Sequence, residues 1–166
     1  MPKRVTESEL RSLAELRYQI RKFLQEGDAT AREAGLEPQQ YLLLLALGGL
    51  PFGWVASIRS LAERLSLQHH SAVELVDRME QHGYLKRTRS TNDRRQVLVS
   101  MQSRGEKLLQ RVARKRLIEL RSNGQKLVKA IGMLLEPEMH HHPVPSRSSK
   151  KGVARAPRSG IRPNKV

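Results

Sequence analysis

The sequence predicts a mainly α-helical fold carrying one small β-hairpin, and three observations lead there. Apolar residues recur at separations of three and four through most of residues 1–136. Two short segments of that kind stand side by side, separated only by Ser66, Leu67 and Gln68. After them Val97, Val99 and Met101 alternate with Gln96, Leu98 and Ser100, the period of a strand.

The first helix is expected over about 7–34, where Leu10, Leu13, Leu16, Ile20, Phe23 and Leu24 keep helical spacing and Gly35 suits the stop. Pro38 then sits where a first-turn proline opens a helix, which runs through Tyr41–Leu47 with apolar residues on every side. A helix apolar all round is expected to be buried at the centre of the domain. Gly48, Gly49, Pro51 and Gly53 break it, and a loop leads to Trp54. Ile58, Leu61, Ala62 and Leu65 stand at i, i+3, i+4 and i+7, with Ser57 placed to cap them. The same template repeats as Ala72, Leu75, Val76 and Met79, and Gly83 closes that helix. Two amphipathic helices joined by a three-residue turn are a helix-turn-helix.

Strands are expected at Tyr84–Arg89 and Gln96–Met101, with turn residues Ser90, Thr91, Asn92 and Asp93 between them. The hairpin is rich in cations: Lys86, Arg87, Arg89, Arg94 and Arg95. A last helical region spans Ser103 to about Glu136, and Ser122–Asn123–Gly124 is expected to divide it into two helices. The aromatic residues Tyr18, Phe23, Tyr41 and Trp54 are assigned to the core in preference to a ligand cavity.

Composition sets the outer bounds. The 166 residues carry 31 Lys and Arg against 16 Asp and Glu, a formal charge of +15, so an anionic partner is indicated. With no cysteine, disulfides, Cys-ligated zinc and thiol chemistry are excluded. The longest apolar run, Tyr41–Leu47, is far short of the roughly 20 residues that span a bilayer. No secretory signal opens the chain, and a cytoplasmic, nucleoid-associated protein is expected. Residues 137–166 differ in kind, with five prolines, seven Lys/Arg and one Glu, and they are expected to form a disordered basic tail beyond a domain at 1–136. His140, His141 and His142 in that tail are adjacent and lack a fourth ligand, so no metal site is assigned. No nucleophile triad or Gly-rich phosphate loop stands in a recognisable setting, so neither catalysis nor a cofactor is expected.

A helix-turn-helix followed directly by a basic hairpin is the order of a winged helix. Here the chain resembles a family: LEPQQYLLLLALGG, then the stretch from Ser57 to Leu109, is similar to the MarR family of bacterial transcriptional regulators. The most telling residues are Leu61-Ala62-Glu63-Arg64-Leu65, Leu75-Val76-Asp77-Arg78 and Asp93-Arg94-Arg95. The resemblance implies a winged helix-turn-helix with long flanking dimerisation helices, a homodimer on inverted-repeat DNA, and repression of nearby genes. It also implies release by a small-molecule effector in many members; the family's cysteine-based peroxide sensing is excluded here. It further implies that Asp93 positions Arg95.

The residues themselves support a DNA reading. With Ala72, Leu75, Val76 and Met79 against the core, the second helix of the pair turns polar side chains outward. Such a helix offers its N-terminal residues to base edges in the major groove, which singles out Gln68, His69, His70, Ser71 and Glu74. Gln can pair bidentately with adenine, and Glu can accept from cytosine N4. Arg94 and Arg95 suit the narrow minor groove, whereas Arg87 and Arg89 suit phosphates. The alternative is a sequence-independent nucleoid or RNA-binding protein acting through charge alone. Deleting residues 137–166 is expected to keep site preference while lowering affinity and flattening its salt dependence. Gel-shift titration of a selected duplex against a scrambled one checks this, and a lost preference would move sequence reading into the tail.

Overall fold

The computed structural model describes residues 4–91 and 96–135. In chain order its elements are α1 (Glu7–Glu33), α2 (Pro38–Gly48), α3 (Ile58–Leu65), α4 (His69–Gln81), β1 (Leu85–Arg89), β2 (Val97–Met101) and α5 (Ser103–Leu135). Local chemistry sets most of these boundaries. Thr6 Oγ1 accepts the Glu9 N–H at 3.2 Å while the Glu9 carboxylate accepts the Thr6 N–H at 2.6 Å, a capping box that starts α1. At its other end Gly35 takes φ +80, and the Leu36 N–H reaches back to the Ala31 carbonyl at 3.0 Å. Ser57 caps α3 by accepting the Ser60 N–H at 3.1 Å. Ser66, with φ 54, turns the chain left-handed between α3 and α4.

β1 and β2 pair antiparallel from Leu85↔Met101 to Arg89↔Val97. The segment before α3 joins them: Ser57 bridges Leu98, and the Val99 N–H donates to the Ala56 carbonyl at 2.8 Å. The hairpin thus grows from the foot of the helix-turn-helix. Its far end returns to Tyr84, whose carbonyl accepts the Gln102 N–H at 2.9 Å just before α5 begins.

The core lies where these elements meet α2. Leu43 and Leu44 of α2 are fully buried with Leu61 of α3, Val76 and Met79 of α4, Leu85 of β1 and Val112 of α5. Each such side chain contributes about 1.5–3 kcal/mol by leaving water. Beside this core, α1 packs along α5 through polar contacts. Buried Arg116 donates to the Phe23 carbonyl at 3.0 Å and to Glu119 at 2.6 Å, with its guanidinium 4.8 Å from the Phe23 ring centre.

Three expectations are corrected. The last helical region is one unbroken helix, α5, and Ser122–Asn123–Gly124 does not divide it. A glycine inside a helix costs only about 1 kcal/mol, while Leu109, Val112, Arg116 and Ala130 are buried on both sides of it. Next, α2 is not buried all round: Leu42 and Leu45, three residues apart on one face, are 41% and 42% exposed. Finally, Tyr41 is in the core and Phe23 lies under Arg116, but Tyr18 and Trp54 are more than half exposed. Tyr18 sits on the outward side of α1, and Trp54 on the loop before α3.

Gly105 is held by a close approach, since a Cβ there would stand 2.4 Å from the Tyr84 carbonyl oxygen. Gly105→Ala is therefore expected to destabilise the fold by about 1–3 kcal/mol in urea titration. Gly132→Ala in the same helix, where a Cβ meets nothing within 4 Å, serves as the control and is expected to be neutral or stabilising.

Candidate nucleic-acid interface

The interface is built on α4, which buries Ala72, Leu75, Val76 and Met79 on one face. Of the five residues expected to read bases, Gln68, His69, His70 and Glu74 are exposed and Ser71 is half-buried. They form the cap and first turns of the helix. Gln68 is the N-cap residue, with φ −66 and ψ 149, and its side chain makes no capping hydrogen bond. The first backbone N–H groups of α4 therefore lack a side-chain cap, at the positive end of the helix dipole. At the other end, Gly83 with φ +70 ends α4, and the rings of His82 and Tyr84 stack 5.6 Å apart.

The hairpin follows the alternation of a strand. Leu85, Arg87 and Arg89 share one face of β1, and Lys86 and Thr88 take the other. Leu85 is buried in the core, Arg87 is half-buried at its rim and Arg89 is exposed. An open cleft of about 740 Å³ separates the hairpin from the start of α3 and the first turn of α4, lined in part by Arg59, His69, Val73, Arg87, Thr88 and Arg89. The fold thus brings His69 and Arg89, 20 residues apart in sequence, to one cleft. Gln68, His70, Ser71 and Glu74 do not line it. Asp93, Arg94 and Arg95, together with His140–His142, lie outside the described residues.

Arg87 lines the same cleft as Arg89 but is engaged by two carboxylates. Its backbone N–H donates to Glu80 Oε1 at 2.8 Å, its Nε donates to Glu80 Oε2 at 2.6 Å, and its Nη1 donates to Asp77. Both carboxylates belong to α4, three residues apart on the side that faces β1. Sequence reasoning did not pair these residues. Asp77 and Glu80 fit the spacing of two solvated charges on one helix, and only the return of the chain through Gly83 and Tyr84 brings Arg87 between them. Arg59, on the opposite wall of the cleft, was also missed; it lies on the outer side of α3, paired loosely with Glu63 at 3.6 Å. A basic residue four positions before Glu63 gave no cue beyond an ordinary surface helix pair.

Comparison with known proteins matches this geometry. The MarR family model matches residues 34–96, from the end of α1 to the start of β2. Among curated proteins none matches the chain. AbsC, a MarR family transcriptional regulator from Streptomyces coelicolor, is similar over 82% of this chain and 86% of its own, at 19% identity and a TM-score of 0.63. A MarR family protein from Bacillus stearothermophilus aligns over 80% and 94%, at 24% identity and a TM-score of 0.61. CouR from Rhodococcus jostii RHA1, solved bound to p-coumaroyl-CoA, aligns over 72% and 85%, at 21% identity and a TM-score of 0.57. These likenesses establish the fold.

The Glu80 carboxyl titrates below its ordinary range, first because it accepts the Arg87 backbone N–H and then because of the Arg87 side chain; partial burial opposes this. A lowered folded value means that Glu80 contributes its full stabilisation above the ordinary carboxylate range and loses it as acid passes through the lowered value. A carbon-detected NMR titration is expected to give a depressed midpoint for Glu80. In Arg87→Ala the midpoint is expected to rise only part of the way, because the backbone N–H remains.

Proposed function

We propose that the chain, which the MarR family model matches over residues 34–96, is a homodimeric regulator that reads an inverted-repeat site in double-stranded DNA and represses nearby genes. The observation that carries this reading is the exposed polar start of α4 beside a cationic hairpin. Gln68, His69, His70, Ser71 and Glu74 would meet base edges, and Arg89 a phosphate. Arg94 and Arg95 would enter the minor groove, with Asp93 orienting Arg95. This is the chemistry of a regulator and calls for no catalytic group or cofactor.

The dimer reading is supported by apolar surface on the long helices. Leu10, Leu13, Tyr18 and Leu24 of α1, with Leu117, Val128 and Leu135 of α5, are each about half exposed or more. So much apolar surface along two helices fits a second copy better than water. Two copies would set their α4 helices about 34 Å apart, in successive major grooves. CouR carries a bound acyl-CoA, which supports a small-molecule effector for this chain as well. Residues 137–166, with seven Lys/Arg and one Glu, would add sequence-independent attraction beyond the domain at 1–136. Among the described residues no helix is long and apolar enough to cross a membrane, in keeping with action on DNA in the bacterial cytoplasm.

Selection from a random duplex pool is expected to enrich an inverted repeat with half-sites one helical turn apart, bound by a species of twice the chain mass in analytical ultracentrifugation. On that duplex Arg95→Ala is expected to lose about tenfold or more in affinity while melting at the parent temperature. General retention of duplexes without enrichment would overturn sequence-specific reading.

A further inference from the structure

We propose that Arg87 is a positioning residue: held between Asp77 and Glu80, it fixes the angle of the hairpin to α4 so that both address one duplex in register. The proposal rests on the DNA-reading function above and assigns Arg87 a role apart from phosphate contact.

Three observations carry it. Arg87 meets Glu80 twice, through its backbone N–H at 2.8 Å and its Nε at 2.6 Å, and meets Asp77 through Nη1. A two-pronged bond of this kind restrains direction as well as distance. Secondly, the hairpin needs such a restraint. Two five-residue strands form only a marginal structure on their own. β2 is tied at its base by the Ser57–Leu98 bridge and the Val99–Ala56 bond. On β1 the bracket ties residue 87, the middle of the strand, directly to α4. Thirdly, the charges oppose a phosphate role. A phosphate approaching Arg87 would also approach two carboxylates, whereas Arg89, two residues on along the same face, is exposed. Without Arg87, Asp77 and Glu80 would face each other as like charges at i, i+3 on one helix.

The absence of cysteine makes the hairpin angle measurable in the full chain. Spin labels on Cys introduced at Gln81 and Thr91 report the distance from α4 to the hairpin by pulsed electron resonance, without DNA. The parent is expected to give one narrow distribution, Arg87→Ala a broad one and Arg87→Lys an intermediate one. An unchanged distribution in Arg87→Ala, with the fold intact by circular dichroism, overturns the proposal. On the selected duplex, Arg87→Ala and Glu80→Gln are each expected to weaken binding about tenfold, the double variant no more than the worse single, with the salt slope unchanged. A phosphate contact predicts the reverse: the slope falls by about one in Arg87→Ala, and Glu80→Gln binds more tightly. That result overturns the proposal even if the distances behave. If no duplex is selected, the DNA reading fails, while the distance measurement still decides whether Arg87 sets the hairpin angle.

Discussion

Burial of Leu43 and Leu44 on α2 is the constraint from which the rest of the described structure takes its places. Every other element of the winged region supplies at least one side chain to that cluster: Leu61, Val76, Met79, Leu85, Val99, and Leu109 and Val112 of α5. A packed interior tolerates little change in volume, so the faces turned inward on α3 and α4 fix which faces turn out. The polar start of α4 is exposed because Ala72, Leu75 and Val76 are committed inward. Function at the surface is in this sense decided in the core.

The pairing of α1 with α5 follows the opposite logic. The residues that α1 buries are Ser12, Thr30 and Ala31 rather than its leucines. The seam inside one chain is held by directional bonds: Arg116 to the Phe23 carbonyl and to Glu119, Arg111 to the Ala34 carbonyl at 3.1 Å, and Lys115 to Glu33. A buried guanidinium is tolerable only when its donors are engaged, and among the described residues no buried side-chain polar atom lacks a partner. Leu10, Leu13 and Leu24 of α1 point away from that seam. An amphipathic helix with its polar side inward is suited to a partner surface rather than to its own chain.

Much of this was legible in the sequence, because the relevant signals are local. Helical spacing located α1 to α4 and the region of α5, Ser57 and Pro38 marked two starts, and Gly35 and Gly83 marked two ends within a residue or two. The failures share a different cause. Period alone shows that α1 and α2 have apolar faces, but not whether one chain can cover them, so the exposure of Leu42 and Leu45 on α2 is not legible from spacing. Ser122–Asn123–Gly124 reads as a break by propensity, yet packing on either side outweighs so small a penalty. At the interface, exposure of His69, His70 and Glu74 followed from helix geometry. The engagement of Arg87 did not, since it depends on two elements meeting through a turn.

The continuity of α5 has a mechanical consequence. Thirty residues separate Gly105 from Leu135, about 45 Å of rigid helix at 1.5 Å per residue. Its near end passes so close to the Tyr84 carbonyl at the root of the hairpin that Gly105 leaves no room for a Cβ. A tilt of only about 5° there sweeps the far end through about 4 Å at this length. Run in reverse, a few ångströms imposed at Leu135 become a small rotation at the base of the hairpin. A broken helix would have absorbed that displacement at the break; an unbroken one is a lever.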